Sequence, residues 1–178
     1  GNRKILNNVS MGLEQEERVG ITAPSGFGKT TFCKILAGYE LPDSGRVLLD
    51  KKPLSAYGTY CPVQMVWQHP ELSVNPKLKM REVIKEGDGV EERIIRGLGG
   101  ELQRFCIARA LGGQTRFLLA DEISTMLDLI TQSQIWNFLL EEVKRRKMGL
   151  LVVSHSGELL ERVCTRIVDL KEEISIWT

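Results

Sequence analysis

A mostly parallel α/β sheet with flanking helices is the fold class that three observations predict. Short apolar runs alternate with segments of helical periodicity along the 178 residues. The runs are apolar throughout, as in strands buried on both faces. Three of them end in polar residues: Thr22 before a glycine-rich loop, Asp121-Glu122, and Ser154-His155. Open parallel sheets hold ligands outside the carboxyl ends of their strands, so this convergence marks a candidate site.

The elements follow in order. Residues 17–22 (ERVGIT) read as a short buried strand, and a loop rich in Gly and Ser leads from it into a helix over about 28–37. Gly38 is a natural helix stop, with Pro42 beyond it. Residues 40–53 alternate turn signals with Val47-Leu48-Leu49, which predicts a small antiparallel β element. A strand over 63–67 comes next, then a loop-rich stretch over 68–100 and a helix over 103–111. A near-continuous apolar strand runs over 116–120 into Asp121-Glu122. Ile135, Phe138, Leu139 and Val143 lie at helical spacing within 131–147. A strand over 150–153, a weaker helix over 157–164 and a strand over 166–170 complete the pattern.

Composition narrows the function classes. The 24 basic and 23 acidic side chains leave a net charge of +1, which gives no overall pull toward nucleic acid or an anionic membrane. The four cysteines, Cys33, Cys61, Cys106 and Cys164, show no CxxC spacing, and there are two histidines. That speaks against a metal–thiolate site or a disulfide framework and fits a reducing cytosol. No apolar run reaches the roughly 18 residues that a membrane span needs, and no signal peptide is visible. The length suits one domain. The start at Gly1-Asn2-Arg3, without a methionine, reads as the interior of something longer.

Residues 23–31, APSGFGKTT, carry the first chemistry. Gly28, Lys29 and Thr30 fit the end of the P-loop pattern GxxxxGK[ST], while Ala23 stands at its first glycine. Gly26 and Gly28 let the backbone around Ser25, Phe27 and Thr31 curl, so that several N–H groups and a helix N-terminus face one anion. Lys29 then neutralises β/γ-phosphate charge, and Thr30 offers its hydroxyl to Mg²⁺. Ala23 is tolerable if its φ stays negative. The plain alternative is a Gly-Ser turn with a solvated lysine.

Phe117-Leu118-Leu119-Ala120-Asp121-Glu122 has the form of a Walker B strand. Asp121 at the tip is placed for the Mg²⁺ shell, and Glu122 for polarising a water toward a γ-phosphate. An acidic helix cap is the alternative reading of that pair. His155 is a candidate hydrogen-bond donor to the γ-phosphate, and Gln68 a candidate for reaching a metal-bound water or the nucleophile. Taken singly, each reads better as an ordinary surface residue.

Taken together, these residues resemble the nucleotide-binding domain of ABC ATPases, a P-loop NTPase family. The order P-loop, Gln68, Gly99-Gly100-Glu101, Asp121-Glu122, Leu127-Asp128, His155 matches nearly end to end. The stretch 97–111, GLGGELQRFCIARAL, resembles the family signature LSGGQ/E followed by xQRxxxARAL. QHPELSVNP (68–76) and STMLDLITQSQIW (124–136) look closest to the oligopeptide/nickel importer branch. The resemblance implies Mg-ATP hydrolysis driving a membrane transporter, with the chain peripheral on the cytoplasmic face of the membrane. It implies a head-to-tail dimer with a second ABC ATPase domain, identical or different, and permease subunits as partners. Gly99, Gly100 and Glu101 would serve the opposite subunit's ATP, and Asp128 would lie in the loop crossing that interface. One ABC ATPase domain over 1–178 is implied, with a RecA-like core over about 1–67 and 112–178 and a helical, signature-bearing region over about 68–111.

Three departures stand out. Leu98 replaces the signature serine, and Gly97 the leucine before it. Gln68 and Gly99 are closer in sequence than the family places them, and residues 86–100 contain five glycines. Either the helical subdomain is cut down, or residues are missing between Glu86 and Gly99; the glycine content favours the second. Residues 1–22 hold no aromatic to stack on adenine, so that residue is expected before Gly1. A soluble ABC ATPase of DNA repair or translation, and a non-hydrolysing regulatory subunit, are the alternative functions. Neutral charge and the lack of long insertions weigh against the first, and intact Lys29, Asp121, Glu122 and His155 against the second.

Overall fold

The computed structural model describes residues 6, 9–58, 60–68 and 101–170. Its main sheet has five strands: β1 (Arg18–Thr22), β4 (Val63–Val66), β5 (Phe117–Asp121), β6 (Gly149–Val153) and β7 (Arg166–Asp169). They lie in the order β4-β5-β6-β1-β7, and every pairing is parallel. The small antiparallel element is β2 (Leu48–Leu49) against β3 (Lys52–Pro53), followed by a 3₁₀ turn over Leu54–Tyr57. The helices are α1 (Lys29–Leu36), α2 (Glu101–Ala110), α3 (Leu129–Arg145) and α4 (Gly157–Val163).

Successive strand residues point to opposite faces, and the core divides accordingly. Val19, Ile21, Met65, Phe117, Leu119, Leu151 and Val153 pack with Phe32 and Cys33 of α1. Leu118, Ala120, Leu150 and Val152 pack on the other face with residues of α2, α3 and α4. The sheet is thus covered on both sides, which explains why its strands read as unbroken apolar runs rather than alternating ones.

Helix ends follow from local chemistry. The Asp128 carboxylate accepts from the Ile130 and Thr131 N–H groups, each at 3.0 Å, and from the Thr131 hydroxyl at 2.6 Å. This cap starts α3 two residues before the apolar spacing indicates. Ser156 caps α4 through the Leu159 N–H at 3.2 Å. At the far end of α3, the Arg146 guanidinium donates to the Leu111 and Gly112 carbonyls, satisfying the C-terminal end of α2. The strand expected over 63–67 ends at Val66. Trp67 instead packs its ring 5.3 Å from that of Tyr39, under the Lys34 ammonium. The expected loop-rich region 69–100 lies outside the described residues.

Gly149 opens β6 where no side chain fits. A Cβ there would sit 2.5 Å from Phe117 Cδ1 and 2.7 Å from the Glu14 carbonyl oxygen. Gly149→Ala is expected to lower stability by about 1–3 kcal/mol, the usual range for forcing extra volume into a packed core. Chemical denaturation measures this; an unchanged midpoint would mean that the Phe117 ring and the Glu14 backbone yield freely.

Candidate functional site

The carboxyl ends of β1, β5 and β6 meet, because β6 pairs with both neighbours in register. Asp121 stands opposite Val153, and Ile21 opposite Val153 on the other side. The polar residues that end these strands therefore share one edge of the sheet.

After β1 the chain enters the loop 23–31. Gly26 has φ 75° and Gly28 φ 92°, left-handed values that favour glycine. Ala23 is absent from the positive-φ residues, which meets the condition its side chain sets. The Phe27 N–H donates to the Pro24 carbonyl at 3.2 Å and closes the turn, with Ser25 exposed at its tip. Gly28 is the cap residue of α1, and its carbonyl accepts from the Phe32 N–H at 2.8 Å. Lys29 is only 6% exposed. Its ammonium donates to the Ala23 carbonyl at 2.8 Å and the Pro24 carbonyl at 3.2 Å, so the charge lies inside the loop rather than in solvent. This disposes of the plain alternative of a solvated lysine. Thr30 is exposed and Thr31 half-buried on the first turn of α1.

Asp121 ends β5 with 2% exposure. Burial pushes its carboxyl up from the usual carboxylate range; a hydrogen bond from Thr30 opposes this, Glu122 reinforces it, and the charges of Lys29 and His155 oppose it. Beneath it, the Cys33 thiol is fully buried and raised well above its ordinary value by burial and then by Asp121, which leaves it a protonated core side chain.

Glu122 adopts φ 50°, uncommon for a non-glycine residue. Its N–H donates to the Val153 carbonyl at 3.0 Å, extending the β5–β6 pairing by one bond. Its carboxylate, 11% exposed, lies 2.8 Å from His155 Nε2. His155 is 51% exposed and so reachable from outside. The Thr125 hydroxyl donates to the Glu122 carbonyl at 3.1 Å, and the Trp136 indole N–H to the Ser124 hydroxyl at 3.1 Å.

The fold thus gathers Lys29, Thr30, Asp121, Glu122 and His155 at one edge. Gln68 is half-buried two residues beyond β4, the edge strand beside β5. Glu101 is the first residue of α2. Gly99 and Gly100 fall outside the described residues. The oxygen donors Asp121 and Thr30 are of the hard type that suits Mg²⁺.

Gln103 lies within the signature-like stretch 97–111 but carries no role from the sequence alone. Gln103 is 5% exposed, and its amide donates to the Ile123 carbonyl at 3.0 Å. The available signal was a polar residue at i with Cys106, Ile107 and Ala110 on the same helical face.

The family model described as ABC transporter matches residues 6–125. The chain belongs to the ABC transporter family. Relatives of this ABC chain include the nickel import ATP-binding protein NikE of Escherichia coli (strain K12). It is 29% identical over 197 residues, covering 92% of this chain and 74% of that protein. The protein of the same name from Rhodospirillum rubrum is 30% identical over 203 residues, covering 96% and 73%. Both are consistent with the nickel/oligopeptide importer branch. Among solved structures, an ATP binding subunit of an ABC transporter superposes with TM-score 0.78 at 19% identity, over 93% of this chain and 79% of that one. The ATP-binding cassette MJ0796 bound to ADP and Pi does so with TM-score 0.77 at 23% identity, over 97% and 92%. At those identities the structural likeness establishes the ABC cassette fold alone.

The raised pKa of Asp121 has a stability consequence. An acid whose folded pKa lies above its unfolded value adds no penalty below the unfolded pKa and its full penalty once pH has risen past the folded pKa. Asp121→Asn, which can still accept from Thr30, is expected to melt higher than the parent at neutral pH. The gain should shrink toward zero as pH falls to the ordinary carboxylate range. Thermal melts across pH check this, and a gain that does not depend on pH would refute it.

Proposed function

We propose that this chain binds Mg-ATP on residues 23–31 and hydrolyses it with Glu122, as the ATP-binding subunit that drives a membrane transporter. The observation that carries the reading is the Glu122–His155 contact of 2.8 Å beside Asp121, at the strand ends that also launch the glycine loop.

The left-handed turns at Gly26 and Gly28 and the start of α1 suit a phosphate chain, with N–H groups and the helix dipole favouring negative charge. Phosphate oxygens would compete with the Ala23 and Pro24 carbonyls for the Lys29 ammonium. Thr30, Asp121 and Gln68 would hold Mg²⁺, which supplies charge neutralisation on the transferring phosphoryl group. Glu122, held against His155, would act as general base. Water attacks the γ-phosphorus, its proton passes to the Glu122 carboxylate, and the bond to the ADP oxygen breaks. His155 Nε2 is the group that would move from Glu122 toward the γ-phosphate.

The finer assignments rest on the relatives. Their printed names support import of a nickel-like substrate as the process driven, and the resemblance to the oligopeptide/nickel importer branch keeps peptides as the alternative. Peripheral association with the cytoplasmic face of a membrane, through permease subunits, follows from that reading. No helix among the described residues is long and apolar enough to cross a membrane. A second ABC ATPase domain, identical or different, would complete each site, with Gly99, Gly100 and Glu101 facing the partner's nucleotide and Asp128 lying near the junction. The exposed Met126, Leu129 and Ile130 flank Asp128 and suit such a contact. A RecA-like core over about 1–67 and 112–178 with a helical region over about 68–111 is the matching division. The alignment with the Escherichia coli relative spans 197 positions against 178 residues here, so that relative carries residues within the aligned span that this chain lacks. Residues missing between Glu86 and Gly99 would account for that difference.

Two variants test the chemistry. Lys29→Ala should weaken binding of a fluorescent ATP analogue by about tenfold or more, roughly 1.4 kcal/mol at the least; undiminished binding would remove the phosphate-loop assignment. Glu122→Gln should bind the analogue as the parent does yet release phosphate about a hundredfold more slowly or worse, as loss of a general base predicts. Phosphate release at the parental rate would sink the base assignment.

A further inference from the structure

A polar side chain inside an apolar helix face is costly unless it is bonded. Gln103 is 5% exposed on α2, and its helical neighbours Cys106, Ile107 and Ala110 belong to the core. Its one described bond runs from Nε2 to the Ile123 carbonyl at 3.0 Å. That carbonyl follows immediately on Glu122, at the point where φ 50° turns the chain off β5.

Three elements thus tie down the short segment after β5. From β6, the Val153 carbonyl accepts from the Glu122 N–H at 3.0 Å. From α3, Trp136 holds the Ser124 hydroxyl at 3.1 Å. From α2, Gln103 holds the Ile123 carbonyl. Strand β6 lies within the sheet, and α3 is seated on it through Ile135, Leu139 and Val143. The Gln103 bond is therefore the tie by which the position of α2 reaches the backbone that carries Glu122. Helix α2 begins at Glu101, directly after Gly99-Gly100 in the sequence.

We propose that Gln103 is a positioning residue for hydrolysis: its amide transmits the placement of α2 to the Ile123 carbonyl and so sets the reach of the Glu122 carboxylate toward His155. A displacement of α2, such as one imposed by a partner against its N-terminal end, would then be felt at Glu122 through a single buried hydrogen bond. This rests on the reading of Glu122 as the hydrolytic base. The donor is what matters, so a side chain of like size without an N–H is the informative change.

The test compares the full chain with Gln103→Met, which fills the space without donating. Gln103→Glu is the second variant, keeping length but presenting an acceptor to a carbonyl. Amide hydrogen exchange is followed over residues 122–127 and, as internal reference, over 18–22; phosphate release gives kcat and KM for ATP. Exchange over 122–127 should accelerate about tenfold while 18–22 stays as in the parent, because local opening reports the tie that was lost. kcat should fall about tenfold with KM within about twofold, the pattern of a lost transition-state contribution. Unchanged exchange over 122–127 in either folded variant overturns the proposal, as does equal acceleration over 18–22, which would mark a merely structural role. A parent that releases no phosphate overturns the hydrolytic reading instead, and the exchange comparison still decides whether Gln103 holds this segment.

Discussion

The parallel pairing of β6 between β5 and β1 is the constraint on which the rest depends. All five residues of β6 are buried, so it can pack only with a strand on each side and helices on each face. Its register against β1 and against β5 brings Ile21 and Asp121 level with one residue, Val153. From there the glycine loop, the buried carboxylate and the Glu122–His155 contact leave the same edge of the sheet from adjacent strands. A slip of one residue in either pairing would exchange the two buried faces of that strand and shift the strand ends that carry the site relative to one another. The backbone hydrogen bonds that build the fold are thus the same ones that assemble the site.

The site concentrates charge where burial resists it. Lys29 and Asp121 are both almost fully enclosed, and no other pair so close to the strand ends is held that way among the described residues. The lysine is satisfied by the carbonyls of Ala23 and Pro24 and the aspartate by the Thr30 hydroxyl, so neither is left unbonded. The raised pKa of Asp121 means that these partners do not fully offset the cost of burying its charge. A divalent cation with phosphate oxygens is the kind of ligand that would, which is why the proposed function and the electrostatics of the site point the same way.

Much of this was legible in the sequence because it is local. Glycine at 26 and 28, a lysine and threonine opening a helix, and acids ending an apolar strand each carry their reason within a few residues. The strand order was not legible: nothing within the run Val63 to Val66 says that it lies beside β5 rather than β1, since that choice is made by packing across the sheet. The start of α3 was read two residues late, because apolar spacing begins inside the helix while the Asp128 cap sits before it. Gln103 was legible as part of the signature-like stretch 97–111, but its bond was not. Its partner is a backbone carbonyl twenty residues away, and a carbonyl leaves no mark on the sequence that a side-chain pattern could reveal.

Glu122 shows how these levels join. A non-glycine residue at positive φ costs on the order of 1–3 kcal/mol and persists only where the surroundings over-determine it. Here they do: its N–H is bonded to Val153, its carbonyl to Thr125, its carboxylate to His155, and the next carbonyl along to Gln103. Released from those ties, the segment would relax toward an ordinary turn and carry the carboxylate away from His155. The strain is therefore held by bonds that come from separate elements of the fold, and each of those elements gains a say in where the carboxylate points. So many partners fix the direction of the carboxylate, which is what the proposed role as general base requires.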